Sequence, residues 1–322
     1  MSKMNKKISV VIPIFNEADG LDGFYHTLKK ALTKADITNH EVIFCDDGSI
    51  DDTPKIASKL ATKDKDLTYI RLSRNFGKEA ALAAGISHAT GDAIMTVDGD
   101  GQHPVELISK FVDKWRAGAQ VVIGIRNKSA SDTPLKRLFS RLFYFLFNRM
   151  STQQLIPGST DFRLIDKSVQ RAFLELHETE RTTRGLIDWL GFRREFINFD
   201  AKQRGSGTAT YSVRKLFALA SNSIVSLSPK PLYLSGGIGA VITPLALLLG
   251  VVVVIEQLLL GDPLNWDFTG TAMLGILLVF LVGIMLVSLG ILSLYISHIH
   301  SQSKQRPLYV IDQGSSVNVK SS

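Results

Sequence analysis

The first 126 residues alternate short apolar runs with helical patterns, and this alternation limits the possible folds more than any other feature of the sequence. The apolar runs lie at 8–14, 41–46, 68–72, 93–98 and 120–126. Helical patterns begin between them, near Glu17, Thr53, Gly77 and Pro104. Continuous apolar strands joined by helices are typical of a parallel sheet that is covered on both faces. We therefore predict an α/β domain.

Acidic side chains stand where three of the predicted strands end. Asp46 and Asp47 come at the end of the second strand, Asp98 ends the fourth, and the segment from Pro13 to Glu17 follows the first. The carboxyl ends of parallel strands meet at one edge of the sheet, where ligands of such sheets bind. We therefore expect these residues to lie close together around a ligand.

The segment IMTVDGDGQHP places Asp98, Asp100 and Gln102 at alternate positions. Crowded carboxylates repel one another unless a cation or hydrogen-bond donors neutralise them. Oxygen ligands of this kind suit Mg²⁺ or Mn²⁺. A tight Asp-Gly turn is the alternative interpretation, but a turn needs no second carboxylate. Because the sequence has no glycine-rich phosphate loop, a metal ion would have to neutralise any bound phosphate.

Two long runs near the C-terminus, 232–255 and 268–297, contain no charged residue. Each exceeds the roughly 20 residues that span a bilayer, so we predict two C-terminal transmembrane helices. A pair of buried core helices is the alternative, although core helices seldom stay uncharged over such lengths. Lys230, Lys304 and Arg306 flank the runs on their outer sides. By the positive-inside rule, both termini should face the cytoplasm in the inner (plasma) membrane.

The remaining segments suggest a division of the chain into four parts. We predict a cytosolic domain at 1–210, a juxtamembrane amphipathic helix at 211–230, the membrane spans at 231–298 and a cytosolic tail at 299–322. Within the first part, the segment 134–150 carries leucines and phenylalanines on one helical face and basic residues on the other. This pattern favours a helix in the membrane interface, with a buried amphipathic helix as the alternative.

The formal net charge is +7. Basic residues accompany apolar faces and not aromatic stacking platforms, so we expect a lipid bilayer as a partner and no nucleic acid. The single cysteine, Cys45, excludes an intramolecular disulfide and any multi-cysteine metal site. The N-terminal segment lacks the long apolar stretch of a signal peptide, so the large domain should stay in the cytosol. The sequence leaves open whether the chain forms a homo-oligomer.

Five segments occur in the order VVIPIFNE, CDDGSIDDT, LSRNFGKEAALAAGISHATGDAIMTVDGDGQHP, GSTDFRL and RGLIDWLGF. Together they resemble the family 2, A-type glycosyltransferases, and among these the membrane-anchored polyprenyl-phosphate glycosyltransferases. That group includes dolichyl-phosphate mannose synthase and bacterial undecaprenyl-phosphate glucosyltransferases. The resemblance covers nearly the whole chain. It implies an A-type fold with a Rossmann-like, mostly parallel sheet, and the inverting transfer of a sugar from a nucleotide sugar to a polyprenyl phosphate for modification of a cell-envelope glycan.

The resemblance also implies roles for residues of the first three segments. Binding of the nucleotide would fall to Pro13, Asn16, Glu17, Asp46, Asp47 and Arg74. Within this set, Asp46 would accept a hydrogen bond from the base, and Arg74 would reach the phosphates. Asp98, Asp100 and Gln102 would bind the metal that bridges the diphosphate. The alternatives are a turn and helix cap for the two aspartates, a helix N-terminus for Asn16 and Glu17, and a solvated cation for Arg74.

In the fourth segment, Asp161 matches the family's proposed catalytic aspartate, which faces the acceptor. A loop residue that caps the following helix is the alternative interpretation. An acceptor that carries a phosphate needs guanidinium partners, and we assign Arg126 and Arg204 to this task although neither lies in a tight motif. We expect a UDP-linked hexose such as UDP-glucose as donor and undecaprenyl phosphate as acceptor.

Two other functions are compatible with the same fold. A processive polysaccharide synthase would carry a Q-x-x-R-W motif and more membrane spans, and this motif does not occur here. A non-catalytic lipid-binding scaffold would have no need for the acidic strand ends.

Overall fold

The computed structural model describes residues 6–127, 156, 158–176, 178, 182–200, 244, 248, 251, 255, 270–304 and 306–319. The predicted helices at 134–150 and 211–230, most of the run at 232–255, and Arg204 lie outside the described residues. The chain divides into two compact units, Met1–Tyr144 with Gln153–Thr210 and Gln305–Ser322, and Phe145–Thr152 with Tyr211–Lys304. The first of these is an α/β domain.

The described part of the α/β domain alternates strands and helices, as the sequence predicts. Its elements are β1 (Ile8–Ile14), α1 (Leu21–Lys34), β2 (His40–Asp46), α2 (Thr53–Lys63), β3 (Leu67–Arg71), α3 (Lys78–His88), β4 (Ala93–Thr96), α4 (Ile108–Arg116), β5 (Val121–Arg126), β6 (Ser159–Asp166), α5 (Lys167–Leu174), α6 (Thr183–Trp189) and β7 (Arg194–Phe199). A 3₁₀ turn at Val105–Leu107 precedes α4.

The strands form one mixed sheet in the order β3-β2-β1-β4-β6-β5-β7. β6 runs antiparallel to both of its neighbours, β4 and β5. The other pairs are parallel. The prediction of an α/β fold with a mostly parallel sheet is therefore confirmed. The sequence did not predict β6 or β7, because β6 mixes polar with apolar residues and so resembles a loop.

The two faces of the sheet carry separate apolar cores. In β1, the side chains of Val10 and Ile12 belong to one buried cluster, and Val11 belongs to the other. Helix α3 packs unusually close to the second face, because a Cβ atom on Gly85 would lie 2.3 Å from Val11 Cγ1 and 2.7 Å from Cys45 Sγ. This small-residue contact brings the first turn of α3 over the carboxyl ends of the central strands.

The second unit contains α7 (Gly270–Ser303), a helix of 34 residues. Its segment Phe280–Ser297 has a mean hydropathy of 2.3 and is not buried inside the protein. At 1.5 Å per residue the helix is about 50 Å long, which exceeds the roughly 30 Å hydrocarbon core of a bilayer. By length and composition α7 is the one described helix that could cross a membrane, so the predicted pair of spans is not confirmed.

The residues that follow α7 return to the α/β domain. A tail, defined here as residues 306–319, forms antiparallel bridges from Val317 to Tyr69 and from Ile311 to Leu72. It thereby covers the outer side of β3, an edge strand with otherwise unpaired backbone groups. The sequence predicts a cytosolic tail here, but no local pattern predicts that these residues extend the sheet.

Candidate active site

A cavity of about 330 Å³ opens at the carboxyl ends of the central strands. It is lined by Pro13, Ile14, Phe15, Glu17, Asp47, Asn75, Gly77, Lys78, Ala81, Asp98, Gly99 and Asp100. The structure therefore brings residues from three of the predicted strand ends together, as expected from the topology of the sheet.

The centre of the site is an ion-pair cluster of one lysine and two aspartates. Lys78 Nζ lies 2.6 Å from Asp98 Oδ1 and 2.8 Å from Asp161 Oδ2. Burial would lower the pKa of Lys78, but the two carboxylates raise it overall. Burial likewise acts to raise the pKa of Asp161, yet the charge of Lys78 lowers it, with help from Arg184 and Arg163. Lys78 and Asp161 are therefore both charged at neutral pH.

Lys78 lines the cavity and pairs with two predicted site residues, but it was not itself predicted as a site residue. It lies in the segment NFGKE, which contributed to the family resemblance but received no role of its own. The position of this lysine, directly after a glycine at the start of a helix, could have identified it as a site residue. The N-terminus of a helix in an α/β fold faces the edge of the sheet where ligands bind. Only the tertiary contact with Asp161, 83 positions later, identifies its partner.

Asp47 holds the loop that precedes α3. Its carboxylate accepts hydrogen bonds from the backbone N–H groups of Phe76 at 2.7 Å and of Gly77 at 2.9 and 3.1 Å. Burial raises the pKa of Asp47, and these hydrogen bonds offset the effect only in part. Gly77 has φ +102°, a conformation that favours glycine. Asp47 therefore positions Lys78 by fixing the two residues before it.

The neighbouring residue, Gly48, explains why this loop can approach so closely. Gly48 has φ +71°, and a Cβ atom there would lie 2.5 Å from the carbonyl carbon of Arg74 and 2.8 Å from the nitrogen of Asn75. Any larger residue would therefore be strained and would also push the loop away from the cavity. The glycine of the DDGS segment is thus required by packing against the loop before α3.

Asp98 is held by His103 from the same turn. The backbone N–H of Asp98 donates to His103 Nδ1 at 3.0 Å. The imidazole is stacked on Phe162 with ring centroids 4.9 Å apart, and Phe199 meets it edge-on at 5.8 Å. Burial in this aromatic setting lowers the pKa of His103. Because Nδ1 accepts a hydrogen bond, the neutral ring carries its proton on Nε2, which lies 3.7 Å from Asp98 Oδ2.

Asp100 and Gln102 complete the turn, with Gly101 at φ +72° between them. Asp100 Oδ1 accepts from the backbone N–H of Gln102 at 3.0 Å. The side-chain oxygen of Gln102 accepts from Arg126 Nη1 at 3.4 Å. The structure therefore places Arg126, at the end of β5, beside the three residues that were predicted to bind metal.

The donor atoms at this turn fit a hard divalent cation, although the protein alone would supply few of its ligands. In the part of the chain that the structure describes, no three His, Cys, Asp or Glu side chains are grouped as a metal site. Asp98 Oδ1 is buried and, among the described residues, receives no well-directed hydrogen bond, although it faces Lys78. A buried carboxylate oxygen in this state is a suitable ligand for a cation whose remaining positions are filled by phosphate or water.

Asp161 lies in β6, and the alternative interpretation of a loop residue that caps a helix is wrong. The residue that caps α5 is Asp166, whose Oδ1 accepts from the backbone N–H of Ser168 at 3.0 Å. The backbone oxygen of Asp161 accepts a hydrogen bond from the hydroxyl of Thr96 in β4. A rigid central strand therefore holds the carboxylate against Lys78.

The fourth and fifth sequence segments are joined by a buried ion pair. Arg163 of GSTDFRL is 2% exposed, and its guanidinium contacts the carboxylate of Asp188 at 2.8 and 3.2 Å. It also donates to the backbone oxygens of Thr160 and Arg184. These contacts fix α6 against β6, close to Asp161. Arg163 therefore supports the site and has its donors occupied within the protein.

Asp46 is fully buried and does not line the cavity. Its carboxylate accepts from the hydroxyl of Tyr69 at 2.7 Å and from the backbone N–H of Ser49 at 2.8 Å. Asp46 is the last residue of β2, and its bond to Ser49 holds the segment that follows the strand. The interpretation as a helix cap is wrong for both Asp46 and Asp47, because α2 begins only at Thr53. A role of Asp46 in binding a base stays a prediction.

Two further predicted residues act on loops around the cavity. Asn16 has φ +53°, which is uncommon for a residue other than glycine. Its side-chain oxygen accepts from the backbone N–H of Ile50 at 3.0 Å, so Asn16 joins the loops after β1 and β2. The interpretation as a helix N-terminus is wrong, since α1 begins at Leu21. The guanidinium of Arg74 lies 3.9 Å over the ring of Phe76, and its binding of phosphate stays a prediction.

Comparison with known proteins identifies the family of this chain. Residues 9–173 match the family described as Glycosyl transferase family 2. The chain is 36% identical over 308 residues to an uncharacterized glycosyltransferase of Synechocystis, covering 96% of this chain and 95% of that protein. It is 35% identical over 305 residues to the bactoprenol glucosyl transferase of Shigella phage SfV, covering 95% and 98%. The chain therefore belongs to glycosyltransferase family 2.

Among solved structures, the mannosyl-3-phosphoglycerate synthase of Rubrobacter xylanophilus matches with a TM-score of 0.48 and 16% sequence identity. The match covers 73% of this chain and 76% of that chain.

Proposed function

We propose that this protein transfers a hexose from a nucleotide sugar to a polyprenyl phosphate, with UDP-glucose as the donor and undecaprenyl phosphate as the acceptor. The observation that carries the proposal is the cluster of Lys78, Asp98 and Asp161 in a cavity at the carboxyl edge of the sheet. The near full-length similarity to a protein named bactoprenol glucosyl transferase supports the choice of acceptor and sugar.

The nucleotide lies against the ends of β1 and β2 in this proposal. Pro13 and Glu17 line the cavity there, and Asn16, Asp46 and Asp47 hold the surrounding loops. Mg²⁺ or Mn²⁺, held by Asp98, Asp100 and Gln102, would act as a Lewis acid that stabilises the leaving diphosphate. Arg74 would move from Phe76 to reach the phosphates, which a flexible arginine on a loop can do at low cost.

The acceptor phosphate attacks the anomeric carbon while the bond from that carbon to the diphosphate oxygen breaks. Because a phosphate monoester is already anionic at neutral pH, no general base is needed to remove a proton. Asp161, kept ionised by Lys78, orients the acceptor and the sugar. Lys78 supplies the positive charge that lets an acceptor anion approach two carboxylates. Arg126 and Arg204 would hold the acceptor phosphate.

We infer that the product has an inverted anomeric configuration. A double displacement with retention requires a carboxylate that is free to attack the sugar. Both Asp98 and Asp161 are engaged by the same ammonium group of Lys78, which lowers their nucleophilicity. A single displacement by the acceptor phosphate therefore fits the arrangement better, and an α-linked donor would give a β-linked lipid product.

The acceptor requires a membrane, and we propose a catalytic domain on the cytoplasmic side of the inner membrane. The length and apolar surface of α7 support one span, and the uncharged run at 232–255 is proposed as the second. The segments 134–150 and 211–230 would lie in the interface and deliver the lipid phosphate. In this division the catalytic domain comprises residues 1–210, and the spans lie at 231–298.

The test is the transfer reaction itself. The full chain, purified in lipid nanodiscs, is incubated with undecaprenyl phosphate, Mn²⁺ and a panel of radiolabelled nucleotide sugars, and the lipid products are separated. We expect one labelled lipid monosaccharide, lost in Asp161→Asn and retained in the control Asp113→Asn, whose carboxylate is exposed on α4. A polymeric product would indicate a processive synthase. No labelled lipid with any nucleotide sugar would indicate a scaffold and overturn the proposal.

A further inference from the structure

The tail at 306–319 is bound to β3 by backbone hydrogen bonds along its length. Tyr69 and Val317 exchange two such bonds, at 3.0 and 2.9 Å. At the other end, the backbone N–H of Ser73 donates to the oxygen of Val310 at 2.8 Å. The tail thus pairs with the edge strand and with the first part of the loop that leads to Lys78.

Side chains of the tail make the contact specific. Ile311 packs against the buried cluster beneath α3, while Val310, the adjacent residue, is 46% exposed. The hydroxyl of Tyr309 lies 2.7 Å from Ser87 Oγ on α3. Asn318 Nδ2 donates to the backbone oxygens of Ala61 and Leu67 at 2.8 and 2.9 Å. A peptide that only shielded an edge strand would need none of these contacts.

One path from the tail to the cavity runs through Arg71. Its backbone N–H donates to Ser316 Oγ at 3.1 Å, and its backbone oxygen accepts from the N–H of Asp312 at 2.8 Å. Its side-chain Nη2 donates to the backbone oxygen of Ser49 at 3.1 Å. Ser49 Oγ in turn accepts from the backbone N–H of Asn16 at 2.9 Å. The tail therefore fixes an arginine that supports the loops after β1 and β2.

A second path runs through the loop from Ser73 to Gly77. The tail holds Ser73 at the start of this loop, and Asp47 holds its end. Between these points the loop lies against Gly48, and its residues Asn75 and Gly77 line the cavity. Both paths end at the part of the cavity to which the nucleotide is assigned.

We propose that the C-terminal tail is a positioning segment of the nucleotide site. By clamping Arg71 and Ser73 it holds the loops after β1, β2 and β3 that surround the donor, and it thereby sets donor affinity. This inference rests on the proposed function, because it assumes that the cavity binds a nucleoside diphosphate. It adds a positioning role for a segment that is distant in sequence, since Ser316 is 245 positions from Arg71. The tail does not touch the cluster of Lys78, Asp98 and Asp161 in any described contact, but the loop that it holds at Ser73 leads to Lys78. The affinity for UDP, measured without the acceptor, is therefore the direct readout of its role.

The test compares two adjacent tail residues in the full chain. Ile311→Asp places a charge against the buried cluster, whereas Val310→Asp places the same charge on the exposed face and keeps the backbone bond to Ser73. Titration with UDP in the presence of Mn²⁺ measures binding, and steady-state kinetics with UDP-glucose separates KM from kcat. For Ile311→Asp we expect the Kd for UDP and the KM for UDP-glucose to rise about tenfold, and any fall in kcat to be smaller than the fall in kcat/KM. Val310→Asp should behave as the wild type.

A merely structural role of the tail predicts a different result. Partial unfolding would lower the active fraction and therefore kcat, while the remaining molecules would keep the wild-type KM and Kd. That result in Ile311→Asp would overturn the inference. Hydrogen exchange of the amides of Phe76 and Gly77 provides a direct readout, since a released loop should exchange faster in Ile311→Asp and not in Val310→Asp.

If Ile311→Asp does not fold, a second pair of variants with smaller changes tests the same inference. Ser316→Ala removes the hydroxyl that accepts from Arg71, whereas Ser315→Ala removes a hydroxyl that donates to Asp312 within the tail at 2.7 Å. We expect about a threefold rise in the Kd for UDP in Ser316→Ala and none in Ser315→Ala. Equal Kd values would overturn the inference. If the wild type binds UDP but transfers no sugar, the proposed function fails while the role of the tail is still measured.

Discussion

Two lysine–carboxylate clusters lie at opposite edges of the same sheet, and they differ in how well the carboxylates are satisfied. At the amino-terminal edge, Glu41 accepts from the ammonium of Lys7 at 2.5 Å, from Ser9 Oγ at 2.6 Å and from both the backbone N–H and the hydroxyl of Thr90. One negative charge there meets one positive charge and several neutral donors. Both oxygens of the Glu41 carboxylate therefore accept hydrogen bonds from within the protein.

At the carboxyl-terminal edge the balance is reversed. Asp98 and Asp161 share the single ammonium of Lys78, and Asp98 Oδ1 has no well-directed hydrogen bond among the described residues. Two carboxylates share one ammonium there, and this surplus of negative charge favours a bound cation. The two clusters thus differ in their charge balance: one carboxylate faces one ammonium at the amino-terminal edge, and two carboxylates face one ammonium at the carboxyl-terminal edge.

The sharpest way to break this comparison is to neutralise one carboxylate at each edge. For Asp161→Asn we expect turnover to fall about 1000-fold, because an interaction felt mainly in the transition state is lost, while UDP binding stays near the wild-type value. Glu41→Gln should leave kcat within about twofold, since its cluster is far from the chemistry. Steady-state kinetics and UDP titration measure both. Comparable losses of kcat in the two variants would contradict the assignment of the two edges.

Removing the lysine from each edge should give effects of different kinds. Lys78→Met should lower turnover about 100-fold, because the acceptor anion then meets two uncompensated carboxylates. It should also strengthen Mn²⁺ binding in the absence of donor, since one positive charge beside Asp98 is removed. Lys7→Met should change neither quantity. Isothermal titration with Mn²⁺ provides the second readout, and weaker metal binding in Lys78→Met would count against a metal at Asp98.

Metal dependence at the carboxyl edge is tested by Asp100→Asn. We expect Mn²⁺ affinity in the presence of UDP to fall at least about tenfold, because one anionic oxygen ligand is lost. EDTA should abolish transfer by the wild type, and excess Mn²⁺ should restore it. Asp113→Asn on α4 is the matched control. Full activity of Asp100→Asn in EDTA would show that the acidic turn does not work through a metal.

The cluster at the amino-terminal edge should contribute to the free energy of unfolding in a way that depends on pH. Burial acts to raise the pKa of Glu41, but hydrogen bonds from Lys7, Ser9 and Thr90 lower it below the ordinary value of 4.5. The ionised form therefore stabilises the folded protein above about pH 4.5, and this contribution is lost as the pH falls through the lowered pKa. Glu41→Gln should cost about 2 kcal/mol in the free energy of unfolding at pH 7.

Denaturant unfolding at a series of pH values measures this contribution. The difference in stability between the wild type and Glu41→Gln should shrink as the pH is lowered below 4.5. A difference that stays constant down to pH 3 would mean that the carboxylate charge of Glu41 does not stabilise the fold.

The parts of the molecule that local patterns encode could be predicted from the sequence. Five apolar runs became β1 to β5 within about two residues, because a buried strand between two helices must be apolar on both faces. The same topology placed Pro13, Asp47 and Asp98 around one cavity, because parallel strands end at one edge. The spacing of apolar residues along strands and helices, and the residues at which strands end, depend on near neighbours in the chain. A single sequence is therefore enough to predict them.

Other features depended on contacts between distant residues, and these were missed or left open. β6 is inserted antiparallel between β4 and β5, and its polar residues concealed it. Lys78 contacts Asp161, which is 83 positions later in the sequence, and Ser316 contacts the backbone of Arg71, which is 245 positions earlier. No local pattern carries such pairings, because the energy of an ion pair or an added strand arises only after the chain has brought both partners together. The sequence by itself determined the α/β class and the acidic edge, whereas the tertiary structure decided which charge balances that edge and which segment holds its loops.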